Sequence, residues 1–256
     1  MNIGRTANPA LNKNTFSGFS MSHSEIGAMT IQGTVNKVFL MLILLGASAW
    51  YVWNKFFEAN GVEGAVFNVQ PYIIFGTIGG FIMAILTVFK KPWSGITAPI
   101  YAVFEGLFLG GISAYVEMVT KEGIVLQAVS LTLLTLFALL IAYKTRIIKV
   151  TANFKLGVFA ATGAIALVYL LSFILSFFGI NFGFINNSGP IGIGISLFIV
   201  VIAALNLVLD FDFIEQGAEN GAPKYMEWYA AFGLMVTLVW LYLEILRLLA
   251  KLNSRK

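Results

Sequence analysis

The sequence predicts an all-α integral membrane protein, a bundle of seven transmembrane helices, and three observations carry that prediction. Hydrophobic residues fill 59% of the 256 positions and charged residues only 11%, where a soluble domain is roughly 25% charged. Mean hydropathy is +0.86. The apolar residues are gathered into seven long runs with the charges in the gaps, and each run is near the roughly 20 residues that cross a bilayer as a helix. Uncharged runs of that length, without the alternation of a lipid-facing barrel strand, favour helices.

Taken in order, residues 1–34 read as a flexible polar N-terminal tail rich in Asn, Ser, Thr and Gly. It lacks the apolar h-region of a cleaved signal peptide. The one histidine, His23, lies there and is expected to be solvated rather than a ligand. Residues 35–256 read as a single membrane domain. Its spans are placed at Val35–Asn54, Pro71–Phe89, Ala98–Val119, Ile124–Tyr143, Leu156–Phe178, Pro190–Leu209 and Met226–Ala250. Short connections imply a tight bundle. Trp50, Tyr51, Trp53, Tyr72, Trp93, Tyr101, Tyr225, Trp228 and Tyr229 stand near span ends, as an interfacial belt should. Gly76 with Gly80 and Gly106 with Gly110 are small-xxx-small pairs that allow helices to approach closely, and Gly192 and Gly194 lie near the start of span six.

A sequence pI near 9.2 raises nucleic acid as a partner, but the basic residues sit in short loops beside apolar spans. There they set topology and meet anionic headgroups of the lipid bilayer. Arg5, Lys13, Lys37, Lys90, Lys91, Lys144, Arg146, Lys149, Lys155 and Lys224 fall on the N-terminal side, against Lys55 and Lys121 opposite. This bias predicts a cytoplasmic N-terminus. Arg247, Lys251, Arg255 and Lys256 oppose it, so either the earlier loops dominate or the last segment is re-entrant. Seven full spans are the preferred reading.

The acidic residues of the spans are the candidate site, because a charge at the bilayer centre costs nominally about 2.5–3.5 kcal/mol on insertion scales. Asp210 and Asp212 close span six, Glu227 opens span seven, and Glu244 lies within it. Glu105 is about 10 Å inside span three by helical rise, and its expected partner lies on span six or seven. Two adjacent carboxylates share a proton, which makes a pH-dependent latch between helices, and once deprotonated their oxygens suit a hard cation such as Ca²⁺. The plainer alternatives stay open. Asp210 and Asp212 could cap a helix boundary, Glu227 could answer the helix dipole, and Glu244 and Arg247, three apart on one face, could neutralise each other.

Three stretches carry a resemblance: the run from Arg5 to Asn12, the run from Ala98 to Ser113, and the run that begins Leu209-Asp210-Phe211-Asp212 and continues to Leu249. In them the chain resembles the Bax inhibitor-1 family of multi-span proteins, also called the transmembrane BAX inhibitor motif family, and its bacterial branch most closely. The resemblance implies a bundle whose last helix is central. It also implies a pH-sensitive Ca²⁺ leak controlled by an acidic pair on the last two helices, in a bacterial inner membrane. Asp210 matches the family's aspartate of span six. Leu241-Tyr242-Leu243-Glu244 looks like the family's Leu-Tyr-Leu-Asp, with Glu in place of Asp. Glu244 stands about 25 Å along span seven from Glu227, so Glu227 is the partner by depth and Glu244 the partner by lettering.

The function expected is a pH-sensitive Ca²⁺ leak channel or cation pathway. The alternatives are an interaction protein that modulates a membrane protease or another membrane complex, and a proton-coupled transporter of a small solute. An enzyme is not expected. Cysteine is absent, the sole histidine is in the tail, and no Ser-His or His-Glu-x-x-His arrangement supplies a nucleophile or metal-bound water. No cofactor is expected, and Ca²⁺ at most transiently.

Overall fold

The computed structural model describes residues 27–60, 68–120, 123–179 and 187–254. The expectations for most of the tail, His23 and the Arg5–Asn12 stretch included, and for Lys121, Arg255 and Lys256 lie outside the described residues. Seven helices follow one another: α1 Ile31–Asn60, α2 Gln70–Phe89, α3 Ser94–Thr120, α4 Ile124–Lys144, α5 Ala152–Ser176, α6 Pro190–Glu219 and α7 Met226–Asn253. All seven are long and apolar enough to cross a membrane, and no strand occurs among the described residues. Burial is greatest in α7, at 67% of its most apolar window against 11–44% in the other six. α7 is one continuous helix of 28 residues and does not double back as a re-entrant segment would.

Each helix boundary has a local cause. The Thr30 hydroxyl accepts the Gly33 N–H at 2.9 Å and so caps α1, and Thr151 caps α5 in the same way through Phe154 N–H at 3.2 Å. α2 stops at Lys90, and Pro92 lies in the 3₁₀ turn Lys91–Trp93 that leads into α3. The end of α6 departs most from the sequence expectation. The helix does not stop at Asp210 but runs to Glu219, where Gly221 at φ +63° closes it. There Ala222 N–H bonds Gly217 O at 3.0 Å and Gly221 N–H bonds Ala218 O at 3.2 Å, the paired bonds of a Schellman ending. Hydropathy falls where a chain leaves the apolar layer, but a helix ends where its last carbonyls find other donors. Asn220-Gly221 was the legible signal for that.

The described residues divide into two compact units. One falls within Leu126–Phe213 and Thr237–Lys256, the other within Phe16–Val125 and Ile214–Val236. In the second unit, α3 packs against α1 and α2 through glycine. A Cβ on Gly110 would stand 2.5 Å from the Ala49 carbonyl oxygen of α1, and one on Gly76 would stand 2.6 Å from the Phe108 nitrogen of α3. These glycines are therefore close-approach positions, as small residues between membrane helices are. Gly194 meets open space instead. The aromatic belt divides: Trp50, Tyr51 and Trp93 are exposed, but Tyr101 and Tyr229 are interior. Phe232 takes the ring of Tyr101 edge-on at 4.9 Å between centroids. In the other unit, Ile165, Ile199 and Ile202 of α5 and α6 form a core on which Tyr169 and Trp240 pack.

Candidate functional site

The five acidic residues named from the sequence each have a setting of their own. Asp210 is buried, 1% exposed, and lies mid-helix with nine further residues of α6 after it, so it caps no helix end. One turn earlier Asn206 is buried too, and its amide donates to Thr162 Oγ1 of α5 and to Ile202 O, both at 2.8 Å. Two residues on from Asp210, Asp212 accepts from Lys155 of α5 at 2.5 Å. That pair is largely shielded on both sides and ties the first turn of α5 to α6.

Glu227, fully buried in the first turn of α7, is held by groups that reach it from two directions. Its Oε1 accepts the Thr30 N–H and the Thr30 hydroxyl, each at 2.9 Å, and Lys224 at 2.8 Å. Its Oε2 accepts Lys37, one turn into α1 beyond Gly33, and the Lys37 ammonium also lies 5.4 Å from the Trp228 ring centroid. Next to this cluster Met29 N–H bonds Ala222 O at 2.7 Å, which joins the segment before α1 to the α6–α7 turn. By depth, the sequence offered Glu227 as one of two candidate partners for Asp210. The structure surrounds Glu227 with two ammonium groups and a threonine.

Glu244 is 2% exposed and sits in a triad with Arg247 and Tyr169. The Tyr169 hydroxyl donates to Glu244 Oε1 at 2.9 Å and accepts from Arg247 at 2.5 Å. Arg247 reaches both Glu244 oxygens at 3.1 Å and lies 5.2 Å from the Tyr169 ring centroid. Glu244 and Arg247, expected from their spacing to neutralise each other, are joined in the structure. A turn further, Lys251 is buried and donates to Gly192 O at 3.1 Å and Ser196 Oγ at 2.7 Å, which fastens the end of α7 to the start of α6.

Glu105 is half-buried on α3 and shares a hydrogen bond with Tyr101, one turn earlier on its own helix. Its carboxyl faces Gly80 of α2, where a Cβ would stand 3.0 Å from Oε1. The partner expected on span six or seven is thus replaced, in the hydrogen bond described, by a tyrosine of span three. Tyr101 was read as a belt residue, and only packing turns it inward.

Among the described residues no group of three His, Cys, Asp or Glu side chains is placed to hold a metal ion. The residues that sequence reasoning passed over are the partners: Thr30, Lys37, Lys155, Tyr169 and Lys251. Lys37 and Lys155 were counted as topology charges, yet both are engaged with acids inside the bundle. Thr30 had a legible signal, a threonine just ahead of the first apolar run.

The fold and these settings define a class: a polytopic α-helical membrane protein that carries ionised and ionisable side chains within its own spans. The chain belongs to the Bax inhibitor 1 like family, whose model matches residues 8–254. No curated protein matches the chain, and no solved structure does.

Proposed function

We propose that this protein is a pH-sensitive leak pathway for Ca²⁺, in a bacterial plasma membrane with its N-terminus in the cytoplasm, and that it is not an enzyme. Asp210 carries the reading. A carboxyl group that stays buried within a membrane helix is a functional position by default, because its solvation cost must be met in every state of the protein. α6 continues past Asp210 to Glu219, which supports a role for Asp210 other than capping a helix end. The Asn206–Thr162 pair one turn away supports a polar interior at that level of α5 and α6. The charge on Asp210 changes with proton binding, so the packing of α6 around it is linked to pH. Its oxygens are the hard ligands a Ca²⁺ ion takes. Passage rather than storage fits the lack of a three-acid cluster among the described residues, since tight Ca²⁺ sites collect 6–8 oxygens.

The test is Ca²⁺ flux into proteoliposomes across pH, for the wild type and Asp210→Asn. The wild type should leak with a pH profile, and Asp210→Asn should flatten it. An unchanged flux and profile in Asp210→Asn would overturn the assignment, and the interaction-protein reading would take its place.

A further inference from the structure

An N-terminal capping box has two reciprocal bonds. The cap threonine accepts from the N–H three residues on, and a Glu or Gln at that third position returns to the cap residue's own N–H. α1 has the first bond, from Gly33 N–H to Thr30 Oγ1 at 2.9 Å. It cannot make the second from position 33, where there is no side chain. The Thr30 N–H is bonded nonetheless, to Glu227 Oε1 at 2.9 Å, from 197 residues away in sequence. A Cβ built on Gly33 would land on the Glu227 carboxyl group, whose three atoms are its nearest neighbours. The Glu227 carboxylate therefore occupies the volume that a side chain at position 33 would enter. Glycine is needed at 33 for space and not for backbone conformation, because Gly33 is not among the glycines with positive φ.

We propose that Glu227 is the missing member of the α1 capping box, supplied from α7, and that this clasp sets the first turn of α1 against the first turn of α7. The clasp lies within one compact unit. Lys37 holds the same carboxylate from α1 and Lys224 holds it from the α6–α7 turn, so one side chain fixes three segments. Glu227 is then a positioning residue rather than a proton sensor, a role independent of any leak.

Thermal unfolding of the purified full chain in detergent tests this through a change of sign. Gly33→Ala in the wild type should lower the melting temperature by several degrees, because the new methyl displaces the carboxylate. In a Glu227→Ala background the three atoms nearest that Cβ are gone, and Gly33→Ala should raise the melting temperature, as alanine does over glycine in a helix. Gly33→Glu with Glu227→Ala restores the box within α1 and should recover part of the loss seen in Glu227→Ala alone. Should Glu227→Ala not fold, Glu227→Asp withdraws the carboxylate by one methylene, and the penalty of Gly33→Ala should shrink there. The same sign and size for Gly33→Ala in every background would overturn the proposal.

Discussion

Tyr169→Phe removes one oxygen atom from the Glu244–Arg247 pair and leaves the ring in place. The lost hydroxyl donates to Glu244 at 2.9 Å and accepts from Arg247 at 2.5 Å. The two partners differ in what they can do afterwards. Arg247 is 40% exposed along its side chain and can find another acceptor, whereas Glu244 is 2% exposed and cannot. The cost is therefore set by Glu244, and a hydrogen bond to a charged group contributes about 1.5–3 kcal/mol. Arg247 still reaches both carboxylate oxygens at 3.1 Å, which places the loss toward the lower end, about 2 kcal/mol. For a chain of this size that is a fall of about 4–8 °C in melting temperature. Intrinsic tryptophan fluorescence in detergent would follow it, since Trp240 packs on the same core as Tyr169. Tyr169→Phe should cost less in a Glu244→Leu, Arg247→Met background, where neither partner of its hydroxyl remains. A melting temperature within about 1 °C of wild type for the single variant, under 0.5 kcal/mol by the same scaling, would refute the reasoning.

Other predictions follow from the same geometry. Gly110→Ala should destabilise by about 1–3 kcal/mol, because its methyl would press on the Ala49 backbone. Gly46→Ala on α1, with nothing within 4 Å of its Cβ, should be neutral or stabilising by up to about 1 kcal/mol; equal losses at both sites in thermal unfolding would remove close approach as the explanation. Single cysteines at Lys55 and Lys149 report orientation, because the chain has no cysteine of its own. An impermeant thiol reagent outside intact cells should label position 55 and spare 149, and the reverse pattern would invert the topology.

Composition and run length determined the class and the helix count, because the bilayer itself constrains both. A segment that crosses about 30 Å of hydrocarbon must be helical and about 20 residues long, whatever it packs against. That is why the seven spans were legible and why their centres needed no tertiary information. The family too was legible, carried by the runs around Ala98 and Leu209. Helix ends were less so. Asp210 looked like the end of span six because hydropathy falls there, while the Schellman ending sits at Gly221. Among the partners of the buried charges, Arg247 beside Glu244 was legible from its spacing, three residues on the same helix, but the distant ones were not. Lys37 and Glu227 are 190 residues apart, and Tyr169 and Arg247 are 78 apart. Nothing in local spacing joins them. Which carboxylate meets an ammonium is decided by which helices pack together and at what depth. Gly110 and Gly76 likewise show only in the packed helices how near their backbones come to α1 and α3. The sequence shows that charges lie within the spans, and only the packed helices decide what each one faces.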